Sequence, residues 1–391
     1  MPLTALLRTL RERGRPIVDL TDSNPTSCDL VASRELLSEI FLPQHAQRYE
    51  PDPRGLREAR EALVKLYDDV GIKLDPDQVL LTASTSEAYS FLFQLLCNPG
   101  ESVLVPQPSY PLLDYLAELN NVALRPYRLV HAGEWMYDLG SVCEGLTEQT
   151  RAIILIHPNN PTGSYIKQHE REALLEIAGS RGIPLIVDEV FWWFPLGAEG
   201  ARPPSFASEQ QTLTFTLNGL SKLLGLPQLK LGWITLSGPL PAQHEALKRL
   251  EIIADTYLSV GGPVQRALPE LLKRRVELME PILTRVRGNV DQLRLILGPT
   301  NEVTVLHPEG GWTAVLHLPA LKSSEEWCLE FLERAGVLVH PGGLYGWETR
   351  SAAVVSLLVR PSALKEGLRK LIAVVRDTML RHPADTSDRD H

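Results

Sequence analysis

Apolar positions in this chain come in two rhythms. Short runs dominated by apolar residues stand at Val79 to Leu81, Ser102 to Val105, Ala152 to Ile156, Ile183 to Val187, Leu213 to Leu217 and Leu229 to Leu236. Runs of that length and makeup predict strands buried on both faces. Between them the spacing turns helical. From Gly55 to Val70, the residues Leu56, Ala59, Leu63, Leu66 and Tyr67 fall on one face, with Arg57, Glu58, Arg60 and Glu61 toward water. Further helices are expected up to about Cys97, from about Lys167 to Arg181, from Glu245 to Ala254, and onward to about Leu297. Strands alternating with helices predict an α/β fold: a large domain with a mostly parallel sheet flanked by helices.

The pattern changes after about residue 300. Val303 to Leu306, Trp312 to Leu316, Val337 to Val339 and Ala353 to Leu358 are short strands between two helices, which reads as a smaller α+β domain. The expected division is 1–45 as an N-terminal arm with part of the small domain, 46–275 as the large domain, 276–380 as the small C-terminal domain, and 381–391 as a disordered tail. That tail carries Asp385, Ser387, Asp388, Arg389 and Asp390 with little apolar material to bury.

Composition narrows the function classes. With 391 residues, 44% hydrophobic, the chain can bury a large core. A net charge of −9 supplies no basic field for nucleic acid or an acidic membrane, so small-molecule chemistry is the default. Cys28, Cys97, Cys143 and Cys328 lie far apart, without metal-site spacing or a disulfide framework. They read as free thiols in a reducing compartment. Residues 1 to 19 hold four arginines among short apolar groups rather than a signal-peptide core, and no run approaches the roughly 20 apolar residues that cross a bilayer. A cytoplasmic protein is expected.

Candidate chemistry gathers where the predicted strands end, the place where open parallel sheets bind ligands. After Val79 to Leu81 come Ser84, Thr85 and Ser86 at a helix start, which serve either as ordinary caps or as an anion cradle. After Ser102 to Val105, Tyr110 stands in a proline-rich loop, either packed in the core or laid over a planar ligand. Asn160 lies in a turn after the strand ending at Ile156, and Asp188 closes the strand from Ile183. Lys222 sits in a Gly-rich bend, too polar and Pro-rich for helix core, between two apolar runs. A desolvated lysine can lose its proton and act as a nucleophile toward a carbonyl; a solvated loop charge is the plainer reading of Lys222 taken alone.

Taken together, in this order and spacing, the segments resemble the fold-type I, class I/II aminotransferases that depend on pyridoxal phosphate, over roughly residues 20 to 375. The resemblance implies that Lys222 holds the cofactor as a Schiff base and moves the substrate proton, and that Asp188 keeps the pyridine nitrogen protonated. It implies that Asn160 bonds the 3′ oxygen and that Tyr110 stacks on the ring. Ser84, Thr85, Ser86 and Lys230 would hold the phosphate, with Ser221 a further cofactor-binding candidate. Tyr49 would reach the phosphate of a neighbouring subunit, which implies a homodimer with the large domain binding the cofactor. Ser23, Asn24 and Arg360 are the matching candidates for substrate contact, with Arg48 and Arg54 as further candidates for its carboxylate. No metal, nucleic acid or membrane partner is implied.

The expected reaction is amino transfer between an amino acid and a 2-oxo acid. The alternative on the same scaffold is a lyase, cyclase or oxidase. Four departures bear on that choice: Lys230 replaces an arginine, Gly219 a serine, Phe191 a tyrosine, and Val354 the arginine that family members use for the substrate carboxylate.

Overall fold

The computed structural model describes residues 2–197, 202–298, 302–347 and 351–381. The predicted tail therefore lies almost wholly outside the described residues. The chain divides into two compact units. One holds Asp29–Leu283 with Glu309–Gly311, and the other holds Met1–Cys28, Thr284–Pro308 and Trp312–His391. The divisions at 28/29 and 283/284 differ from the 45/46 and 275/276 expected, because Arg34–Ile40 is a helix of the larger unit and one helix, Arg275–Leu297, runs across the second division.

The larger unit is built on eight strands: β1 (Val79–Thr82), β2 (Ser102–Gln107), β3 (Ala123–His131), β4 (Trp135–Tyr137), β5 (Thr150–Ile156), β6 (Leu185–Asp188), β7 (Thr214–Gly219) and β8 (Gly232–Ser237). Their order across the sheet is β1-β8-β7-β6-β5-β2-β3-β4. Neighbours from β7 across to β3 pair in parallel, whereas β8 runs antiparallel to both β1 and β7, and β4 antiparallel to β3. The sheet is thus mostly parallel. Its central strands β5 to β8 bury nearly every side chain, which is why they read as apolar runs. On one face Ala88, Phe91 and Leu92 of the helix Thr85–Leu96 and Ala246, Leu250 and Ala254 of the helix Leu240–Tyr257 join the sheet residues Ile154, Ile186, Phe215 and Ile234 in one core.

The two strands the apolar pattern does not predict, β3 and β4, stand at the sheet's edge. β3 carries Arg125, Pro126 and Arg128 and is largely exposed, so its sequence has no buried run to display. The helix predicted at Glu245 begins earlier, at Leu240 behind Pro239.

In the smaller unit, four antiparallel strands stand in the order Thr304–Leu306, Thr313–His317, Ala352–Ser356, His340–Pro341. The single strand expected at Val337 to Val339 is divided: Val337–Leu338 pairs with Val18–Asp19, while His340 and Pro341 join the four-stranded sheet. The N-terminal arm is a helix, Pro2–Glu12, with Leu3, Leu6, Leu7 and Leu10 on one face against Leu332 and Leu338.

Candidate functional site

Three parallel strands end side by side. Ile156 of β5 pairs with Asp188, and Asp188 pairs with Leu217 of β7, so the segments holding Asn160, Asp188 and Lys222 leave the sheet at adjacent positions. Asp188 is 7% exposed. Its Oδ1 accepts the Val190 N–H at 3.1 Å and its Oδ2 accepts the Tyr89 hydroxyl at 3.1 Å. Burial pushes the carboxyl up to about 6, against the opposing pull of those two hydrogen bonds and the charge of Lys222.

Lys222 is not on an open bend. The segment after β7 makes one helical turn, Leu220–Leu223, fixed where the Leu220 N–H bonds the Leu231 carbonyl at 2.9 Å. Leu220 and Leu223 are buried, which explains how a Gly-flanked, Pro-containing stretch holds helical geometry: tertiary burial outweighs local propensity. Burial of the Lys222 amine lowers its pKa, and the charge of Asp188 partly restores it. The amine stands 5.8 Å from the centroid of the Phe191 ring. A lysine so placed is nearer to its neutral, nucleophilic form than a solvated one.

Ser84 caps the helix Thr85–Leu96, its hydroxyl accepting the Glu87 N–H at 3.1 Å. Thr85 and Ser86 open the first turn, half-buried, where backbone N–H groups have no acceptor within the helix and the dipole is positive. The capping reading is thus observed for Ser84, and the turn behind it is free of that duty. β8 runs beside this turn: Gly232 pairs with Thr82 on one side and Gly219 on the other. A Cβ at Gly232 would stand 3.1 Å from the Ser84 carbonyl carbon and 3.2 Å from the Asn218 oxygen. Gly232→Ala is therefore expected to push Ser84 outward and cost about 1–3 kcal/mol of stability, read as a lowered midpoint in thermal or urea unfolding.

Asn160 follows β5, and its Oδ1 is buried without a hydrogen-bond partner, as is Ser109 Oγ beside Tyr110. Tyr110 is half-buried, its hydroxyl pushed up to about 12 by burial and then by the charge of Asp188, which locates it near that carboxylate. Ser221 is half-buried, whereas Lys230 is exposed and holds a left-handed backbone, φ 52°. Tyr49 is 77% exposed. Arg54 is engaged by Asp77 at 3.1 Å and Glu251 at 2.8 Å, and Arg48 is exposed beside Glu50.

Ser23, Asn24 and Arg360 belong to the smaller unit. Asn24 Oδ1 accepts the N–H and hydroxyl of Thr26, an Asx-type turn. Arg360 is exposed and precedes the helix Pro361–Arg381, its carbonyl accepting the Leu364 N–H at 3.0 Å. Val354 is 1% exposed in the centre of its strand, paired with Val315 on one side and His340 on the other.

Sequence reasoning missed Tyr89. It sits among Ala88, Phe91, Leu92 and Phe93 and reads as one more core aromatic. The only signal is a hydroxyl at a fully apolar position, which when buried demands a partner.

A half-buried amine and a buried carboxylate at the ends of neighbouring parallel strands, with a helix start alongside, are groups suited to work on carbonyl and amino groups. Comparison with known proteins agrees. Residues 18–358 match the family model for aminotransferase class I and II, and the chain belongs to that family. It is 28% identical over 378 residues to the glutamate-pyruvate aminotransferase AlaA of Haemophilus influenzae, covering 94% of this chain and 93% of that protein. An alanine aminotransferase structure from Pyrococcus furiosus superposes with a TM-score of 0.89 at 25% identity, covering 96% of each chain. A Thermus thermophilus aspartate aminotransferase mutant gives a TM-score of 0.84 at 22% identity over 95% of each chain, a likeness of fold. The protein is an enzyme of the aminotransferase type, with the family's pyridoxal-phosphate-dependent transfer of amino groups.

Proposed function

We propose that Lys222 is the amine that holds pyridoxal phosphate, and that the enzyme moves an amino group from an amino acid to a 2-oxo acid in a cytoplasmic homodimer. The observation that carries this is Lys222 in the segment that leaves the sheet beside the buried Asp188 carboxylate, its pKa lowered by burial. The residues around it fit the cofactor. The orphaned amide oxygen of Asn160 suits a ring hydroxyl, the half-buried turn at Thr85 and Ser86 suits a phosphate, and Asp188 suits a protonated ring nitrogen.

When bound, the cofactor supplies an aldehyde that captures amines and a ring that accepts the electron pair left when a bond at the amino carbon breaks. This chain's residues do the rest. Asp188 would hold the proton on the ring nitrogen, which keeps the ring an electron acceptor. Lys222 Nζ would take the proton from the substrate's amino carbon, the general-base work that suits an amine with a lowered pKa. Tyr110 would lie against the ring, Ser84, Thr85, Ser86 and Lys230 would hold the phosphate, with Ser221 a further contact to the cofactor and Tyr49 offered to a second copy. Ser23, Asn24 and Arg360 are assigned to the substrate. Phe191, 8% exposed, keeps water from the amine.

The test is reconstitution with pyridoxal phosphate followed by an amino-acid panel without any oxo acid, tracking cofactor absorbance and free ammonia together. Stoichiometric conversion to the pyridoxamine form without ammonia is expected and identifies the donor. Sustained ammonia release would replace transfer with the lyase or oxidase reading.

A further inference from the structure

We infer that Tyr89 is a positioning residue for the cofactor: its hydroxyl, donated to Asp188 Oδ2 at 3.1 Å, fixes the carboxylate's orientation and moderates its hold on the ring nitrogen's proton. This rests on the reading of Asp188 as the cofactor's partner and deepens it.

The geometry leaves the phenol little else to do. Tyr89 is 1% exposed, and Asp188 Oδ2 is the acceptor of its hydroxyl. The contact spans 99 positions in sequence, from the middle of the helix Thr85–Leu96 to the end of β6. A phenol in so apolar a place is neutral throughout the working range, because burial and then the Asp188 charge raise its pKa well above the usual value. It is thus a fixed donor and not a proton carrier.

Asp188 has only two oxygens to share. One is oriented by the Val190 N–H and the other by Tyr89, so both are held before any ligand arrives. Each keeps a further lone pair for a ring nitrogen. A donor bonded to a carboxylate makes it a weaker base. Tyr89 therefore limits how far the proton is drawn from the ring nitrogen toward Asp188, and with it the electron demand of the ring.

The helix adds a second role. Tyr89 stands a little more than one turn beyond Ser84, on the element whose start is the anion cradle. One rigid element thus supports both ends of the ligand. The other titratable groups facing Asp188 are Lys222, Tyr110 and its own neighbour Glu189.

The decisive variant is Tyr89→Phe, which keeps the ring and its contact with Phe93, 6.0 Å between centroids. Two measurements are made. In the cofactor-free protein, isotope-edited NMR follows the Asp188 carboxyl, which titrates near 6 in the wild type and is expected to rise by roughly half a pH unit or more in the variant. In the reconstituted holoenzyme, the pH at which the bound cofactor's visible absorption changes is expected to rise similarly, with kcat lowered roughly tenfold and KM changed less than about twofold.

In an Asp188→Asn background, Tyr89→Phe is expected to move the spectrum no further. Should Tyr89→Phe fold poorly, 3-fluorotyrosine at position 89, a stronger donor of nearly the same size, is expected to shift both titrations the opposite way. Unchanged titrations in protein that binds the cofactor would overturn the role of Tyr89. A wild type that binds no cofactor would overturn the functional reading instead, while the NMR titration still reports the contact.

Discussion

Lys222→Ala protein is expected to lose turnover by roughly 10³-fold or more and to retain no cofactor after borohydride treatment and denaturation. Both losses follow from one atom, because the same amine is assigned to hold the cofactor and to carry the proton. Overall structure should survive. Lys222 lies in a four-residue turn anchored by its buried neighbours Leu220 and Leu223 and by the Leu220 to Leu231 backbone bond, none of which needs the amine. Mass spectrometry after reduction measures attachment, and a single-turnover reaction with the donor found from the panel measures the proton step. Added methylamine should restore a fraction of the rate if the missing group is only a base. Retained covalent attachment in Lys222→Ala would move the assignment to another amine.

Asp188→Asn is expected to lower kcat by roughly 10²- to 10³-fold and at the same time to flatten the pH dependence of stability in the cofactor-free protein. The carboxyl ordinarily titrates near 3.8 and in the fold near 6. Between those values the native state keeps a proton that the unfolded chain has already lost, so the contribution of this group to stability falls as pH rises and levels off above about 6. The difference amounts to on the order of 3 kcal/mol for this fully enclosed group. The asparagine variant lacks this titration and should show a decline smaller by that amount, what remains coming from the neighbouring Glu189, which burial pushes up to about 7. Urea unfolding of both proteins at pH 4.5 and 7.5 checks it. An equal decline in the two would mean that Asp188 is not held in its protonated form by burial.

Much of this was legible in the chain. The runs at Ala152 to Ile156 and Ile183 to Val187 announce parallel strands because both their faces are buried, and the residues following them are then placed by the sheet itself. Sequence order placed Asn160 and Asp188 at strand ends and Lys222 in the bend after a further run, and the strand pairing makes those ends adjacent. What escaped did so for definable reasons. The edge strands Ala123–His131 and Trp135–Tyr137 are held by backbone pairing, which any side chain permits, and the exposed residues of the longer one give no apolar rhythm. The turn at Lys222 is helical because tertiary burial holds it. The Tyr89 contact depends on register between a helix and a strand about a hundred positions apart, and helical periodicity records only that the position is inside.

The helix Thr85–Leu96 sets a limit on how this enzyme can be re-engineered. Its first turn and its Tyr89 are spaced by a backbone that does not stretch, at about 1.5 Å per residue. A selection for variants accepting a longer or shorter cofactor analogue would find few solutions in which one end of the ligand is retuned alone. Mutations that tilt the helix disturb both ends together. The short linker Ala83–Ser84 offers no independent adjustment, because the Ala83 N–H bonds the carboxylate of Glu87 in the same helix at 2.6 Å and a change there moves the helix start and Tyr89 together.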